Sequence, residues 1–274
     1  MRKNFAQALK TPKLDPKKEY SKLFELFYGK DERDGKSLAD LVSLNFEGFY
    51  FRKTCLDLEE FNKTFGFYFV EQPQDFDVDY LISFCEYIYN FVIFIDNQYF
   101  FAQKDKRFYI LHINEVIDAL NYVQSSEDGL TIFVPRDNVA LSVSELEQIP
   151  ENISHKILAY HHHSMKGDIE AKKATLIVLA SQLEPQEKVL SQIDKSFKSD
   201  LFYAFNNLNI RHNNVEPSNK SCYKKVVAEM DAEELERWYD ETYQMCLLAF
   251  MRLEQNNRKK NFDELKSRIE KKED

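Results

Sequence analysis

Residues 231–249 read DAEELERWYDETYQMCLLA. Asp231 has an N-cap side chain, and Glu234, three positions on, completes a capping box. Behind them Leu235, Trp238, Tyr239, Met245, Leu248 and Ala249 recur at the spacing of one helix face. A long helix with one apolar side buries that side against other helices, and the residues upstream supply them. After Pro150 a helix is predicted from Glu151 to Met165. Gly167 ends it, and Asp168 caps a second helix carrying Ile169, Leu176, Leu179 and Leu183. Pro185 separates that helix from a third, reaching Ile210, with Val189, Leu190, Ile193, Phe197, Leu201 and Phe205 inward. A polar stretch from Arg211 to Ser221 connects back to Asp231. The reading is a four-helix bundle-like domain over 150–256. A charged tail over 257–274 follows it, either a solvated helix or a disordered end.

The chain upstream has a different style. Phe and Tyr crowd it, as in Phe49-Tyr50-Phe51 and Phe65-Gly66-Phe67-Tyr68-Phe69, and of six glycines only Gly167 lies beyond residue 150. This shift, with Pro150 at the join, marks a domain boundary and defines an acidic, aromatic-rich domain over 1–149. Apolar residues at helical spacing predict helices over 80–95 and 109–123. Thr131 to Val134 is β-prone, Pro135 to Asn138 has turn chemistry, and Val139 to Val143 can return. That predicts a small β-hairpin near 131–143. Residues 30–75 fit short helices or short strands equally. The fold class is mainly α, a mostly helical N-terminal domain with one hairpin ahead of the bundle.

Composition narrows the function. The 274 residues are 43% hydrophobic and 30% charged, enough to build a core and too much for disorder. A net charge of −9, concentrated in residues 1–150, argues against a globally basic nucleic-acid binder. Cys55, Cys85, Cys222 and Cys246 form no CxxC pair, so zinc-knuckle and redox motifs are excluded. The N-terminus carries no signal-like apolar segment, and the stretch Tyr80–Ile95 is too short to span a bilayer. The expected setting is cytoplasmic, with no membrane partner. P-loop, GxGxxG, GxSxG and HExxH patterns are absent, and no cofactor is expected.

Three clusters could carry chemistry. His161-His162-His163 would fan out by about 100° per residue on a helix and could not converge on one metal, so no metal site is expected. Trp238 to Tyr243 reads as core and interface filler, with Asp240 and Glu241 free to pair with Arg211 or a lysine. The third is Asn206-Asn207-Leu208-Asn209-Ile210-Arg211-His212-Asn213-Asn214. Amides are weak helix formers and stay at a helix end when they cap or bond something. Arg supplies a permanent planar cation suited to phosphate, and His moves protons near neutral pH. The alternative is a helix terminus whose carbonyls these side chains satisfy.

Two of these features together carry a resemblance. A Gly-Asp between the first two helices, in Lys166-Gly167-Asp168-Ile169-Glu170-Ala171, resembles the HEPN superfamily. So does the polar Arg motif Ile210-Arg211-His212-Asn213-Asn214 at a later helix junction. The closest flavour is the C-terminal domain of bacterial abortive-infection proteins, over about 151–254. The resemblance implies a phage-defence role and a metal-independent endoribonuclease, acting as a homodimer that shares its site across two copies. Arg211 matches the motif's Arg and His212 its polar position; the later His of the pattern has no counterpart. On this reading Arg211 and His212 are catalytic, while Asn207, Asn213, Asn214, Lys172 and Lys173 bind RNA. The competing reading is a non-enzymatic interaction and dimerisation module, with a protein partner held through residues 1–149.

Overall fold

Aspartates set where the helices begin. Asp15, Asp57, Asp77, Asp137, Asp168, Asp194 and Asp231 each accept a backbone N–H from the first turn that follows, satisfying donors the helix cannot pair internally. The computed structural model describes residues 14–30, 32, 35–95 and 106–271. These are mainly helical with one small antiparallel hairpin, as the sequence predicts. The chain divides into two compact units at Pro135–Arg136, ahead of the composition shift at Pro150.

The first unit holds α1 (Pro16–Tyr28), α2 (Leu38–Asn45), α3 (Leu58–Phe65), α4 (Val78–Phe94) and α5 (Lys106–Ala119), then β1 (Tyr122–Glu127) and β2 (Leu130–Pro135). Within the region 30–75, open between helix and strand in the sequence, residues 38–65 are mostly helical: α2, two short 3₁₀ turns and α3, which Gly66 ends in the left-handed conformation. α4 is buried on nearly every side, and Phe49, Phe61, Phe84, Tyr87 and Phe91 make tilted and edge-on ring contacts around it.

The predicted hairpin over 131–143 is corrected. β2 pairs backward with β1, Tyr122 opposite Pro135 and Glu127 opposite Leu130. The turn is Asp128-Gly129, both at positive φ, the Asp-Gly signature of a tight hairpin. Residues after Pro135 do not return as a strand, because Asp137 accepts from the N–H groups of Val139 and Ala140 and starts a helix. Glu86 and Asn90, the polar interruptions of α4, dock the hairpin. The Asn90 amide donates to Thr131 O at 2.8 Å and accepts from Thr131 N at 2.8 Å, and Glu86 accepts from Phe133 N at 2.6 Å. These side chains pair the edge of β2 that would otherwise be open.

The second unit holds α6 (Asn138–Ser144), α7 (Glu151–Ala159), α8 (Ile169–Leu183), α9 (Glu187–Ile193), α10 (Lys195–Asn207), the short α11 (Lys225–Ala228) and α12 (Ala232–Glu270). Ala140 and Val143 of α6 join its core. The helix predicted from Glu151 to Met165 stops at Ala159. The predicted third helix is two, broken where Asp194 turns extended to cap α10. α12 runs 39 residues, well past the last core residue, Leu253. No helix among the described residues is long and apolar enough to cross a membrane.

Candidate functional site

The Arg211 cluster forms at the end of α10. Asn209 sits at φ 57, a conformation asparagine tolerates better than most residues. Asn209 and Asn214 bond each other's backbone: Asn209 N donates to Asn214 Oδ1 at 2.8 Å, and Asn214 N to Asn209 Oδ1 at 3.2 Å. The Asn214 amide nitrogen donates to Asn206 O at 3.1 Å and Cys222 O at 2.7 Å. Lys224 N donates to Asn214 O at 2.8 Å. Asn214 is 0% exposed. It ties the end of α10 to the loop before α11, and each polar atom of its side chain already serves backbone, which leaves none to hold RNA as expected. Asn213 is exposed, but its Oδ1 accepts from Val215 N and Glu216 N in a local turn. Arg211 pairs with Glu184 and donates to Asn206 Oδ1 at 3.4 Å. It pairs with neither Asp240 nor Glu241. His212 is exposed beside it.

Lys172 lies inside the bundle. It is 5% exposed, its Nζ 2.6 Å from Asp240 Oδ1 and 2.8 Å from Glu236 Oε1. The ammonium also lies 5.2 Å from the centre of the Tyr160 ring. A lysine held by two carboxylates inside a bundle cannot reach an RNA phosphate, contrary to the expected role. Glu236 accepts the Gly167 N–H at 2.9 Å, and this bond and Lys172 hold its carboxyl below the usual range. The Gly-Asp motif is therefore a helix start pinned to α12: Gly167 at φ +76, Asp168 capping α8 through Ala171 N. Lys173, one position on, is half-buried.

The histidines do not lie on a helix. Because α7 ends at Ala159, they occupy a turn and a 3₁₀ segment, and the expected fan does not form: the His162 and His163 rings are 4.0 Å apart. His161 meets Tyr243 edge-on at 5.1 Å and lies 3.8 Å from Asp137. Burial lowers its pKa, with Asp137 and Asp240 opposing. Tyr243 stacks on Tyr160 at 4.0 Å and donates to Ile157 O at 2.7 Å. Burial pushes both phenols up, so both stay protonated.

A concavity of the second unit lies away from these residues. A cavity of about 670 Å³ opens among α10, the loop before α11, α11 and the start of α12. Tyr203, Tyr223, Met230, Trp238 and Met245 line it, with Asn207, Lys224, Lys225, Asp200 and Glu241 as polar groups. Of the residues singled out from sequence, Asn207 lines it; its amide donates to Tyr203 O at 2.9 Å. Trp238, read as core filler, is 41% exposed and Tyr203 is 67% exposed. Tyr239 and Tyr243 take the core face of α12, about a third of a turn or more away from Trp238. The sequence signal for this groove was the chain's single tryptophan, whose helical spacing resembled that of its buried neighbours.

No family model matches the chain, and neither curated proteins nor solved structures give a match.

Proposed function

We propose that the second unit is a non-enzymatic binding module whose groove beside Trp238 takes an apolar or aromatic segment of a partner protein. The supporting observation is the groove itself: a concavity of about 670 Å³ walled by Trp238, two tyrosines and two methionines. Ligand sites are concave and mostly apolar with a few polar groups, and methionines adapt to varied apolar shapes. The polar groups supply two lysines against one aspartate and one glutamate, a balance that favours a peptide over a polyphosphate backbone. In this reading the Arg211–Asn214 cluster is architecture: it anchors the loop that carries Tyr223 and Lys224 into the groove.

RNA is the second reading, favoured by the exposed Lys224 and Lys225 beside stacking aromatics and by the open position of His212. Because Trp238 is the only tryptophan, its emission reports the groove directly. The test titrates an anilinonaphthalene sulfonate dye against the full chain, reading energy transfer from Trp238, and repeats it with Met230→Glu. Saturable transfer lost in the variant supports the groove; transfer that is absent, or unchanged in the variant, removes it. A single-stranded oligonucleotide that displaces the dye, and stops doing so with Lys224→Glu and Lys225→Glu combined, selects the RNA reading instead.

A further inference from the structure

Beyond Leu253, the residues from Glu254 to Lys271 carry α12 away from the core, with Asn256 and Glu254 the half-covered exceptions in an otherwise exposed stretch. A helix of about 17 residues is near the length at which helices in water are marginal on their own. This one carries a second apolar face. Leu248, Met251, Phe262, Leu265 and Ile269 are 44%, 38%, 63%, 48% and 52% exposed. With Gln255 and Arg258 between them they fall at alternating steps of three and four, the a and d positions of a heptad. At about 100° per residue this seam is turned by roughly a third of a revolution from the face that Tyr239, Tyr243, Cys246 and Phe250 bury in the bundle. One face of α12 holds the unit together, and a different face continues unpartnered past its end.

We propose that this seam pairs in parallel with the same seam of a second copy, so that the protein dimerises through the C-terminal half of α12. The choice of a second copy rests on charge. With Leu248 at a, Glu254 is a g position and Lys259 the e position that follows it in the next heptad. In a parallel pair, each Glu254 meets Lys259 of the second copy, once on each side. An antiparallel pair also finds Glu254 an opposite charge, Arg268, but it sets Lys259 against its own counterpart, two cations that the parallel pair keeps apart. Arg258, the basic residue on the seam, is already bonded: its Nε donates to Glu254 Oε1 at 2.7 Å. Its charged end is drawn to the flank and its aliphatic stem stays over the seam. Gln255 is the polar layer that sets register, as single polar a positions do.

The test is sedimentation equilibrium of the full chain at up to about 50 µM, a range where three heptads of seam can be measured. The expected result is a dimer, weakened about tenfold or more by Phe262→Glu with Leu265→Glu, since two buried charges replace two apolar layers. Both residues are exposed in the single chain, so at a concentration too low for the dimer to form the thermal transition of the variant stays that of the wild type. Direction is read with Leu265→Cys in a Cys222→Ser background: a parallel, in-register seam cross-links on oxidation. A wild-type monomer throughout that range, a dimer indifferent to the double glutamate variant, or a dimer that does not cross-link at residue 265 overturns the proposal.

Discussion

Asn214→Ala separates a cap from a nucleic-acid contact. In the folded protein the Asn214 side chain accepts one backbone N–H, from Asn209, and donates to two carbonyls, Asn206 O and Cys222 O. Truncation leaves all three backbone groups without that partner, and Asn209 and Asn214 are both buried. An unpaired buried polar group costs about 1–3 kcal/mol. Water reaches some of these groups once the side chain is gone, so a sum near the low end, about 3 kcal/mol, is the working figure. For a unit of this size that lowers Tm by about 10 °C. Differential scanning calorimetry of the full chain measures it, with Arg211→Ala as comparison. The Arg211–Glu184 pair is part-exposed, so its loss costs about 1 kcal/mol or less. The ranking is the decisive feature: the chemically quiet amide outweighs the charged residue of the motif. If Asn214→Ala melts within a degree or two of wild type while Arg211→Ala melts far lower, the cap assignment is wrong and the cluster's amides are free to serve a ligand.

Two further outcomes follow from the bundle interior. Lys172→Ala leaves Asp240 and Glu236 without their shared cation and costs about 2 kcal/mol, less than a fully buried pair because Asp240 is part-exposed; Lys172→Met, which keeps the stem over Tyr160, loses less, and urea denaturation gives both. His161 sets a pH dependence: burial lowers its folded pKa below the ordinary value near 6.5, so the unfolded chain binds its proton first as pH falls. Stability is therefore full above about pH 6.5 and declines as pH drops below it. His161→Gln flattens that stretch of the Tm-against-pH curve, and an unchanged slope would show that another group produces it.

What was legible in the sequence was whatever local chemistry decides. α4, α8 and α12 follow from apolar periodicity, with Asp168 and Asp231 as the caps the sequence showed. The misreadings came where two local signals compete. Asp128-Gly129 and Pro135 to Asn138 both have turn chemistry, and choosing the second reversed the direction of hairpin pairing. Asp194 has the side chain of a cap but sits in an apolar pattern continuous from Val189 to Phe205, so one helix was read where there are two. Its second oxygen accepts from Arg252 on α12 at 2.6 Å, a tertiary reason for the break that no window of sequence contains. The same limit hid the groove. Tyr203, Tyr223 and Trp238 lie far apart in the chain, and only the docking of α10 against α12 brings them to one concavity.

Two of the expected RNA contacts, Asn214 and Lys172, are taken up by the fold for a more general reason. Arg, His, Asn and Lys near a helix junction have the right chemistry for phosphate, and equally the right chemistry for the carbonyls and N–H groups that a helix end leaves unpaired. Residue type cannot separate these demands, but backbone accounting can. Just past the end of α10, Asn209 is left-handed and opens a loop that must return to α11, and the backbone of that loop has no sheet to pair with. Asn214 and Asn213 do that work, and Glu184 takes the cation. Lys172 is spent on Asp240 and Glu236 in the same way. Removing the residues already committed to the fold leaves His212, Lys224, Lys225, Tyr203 and Trp238 on the surface of the second unit.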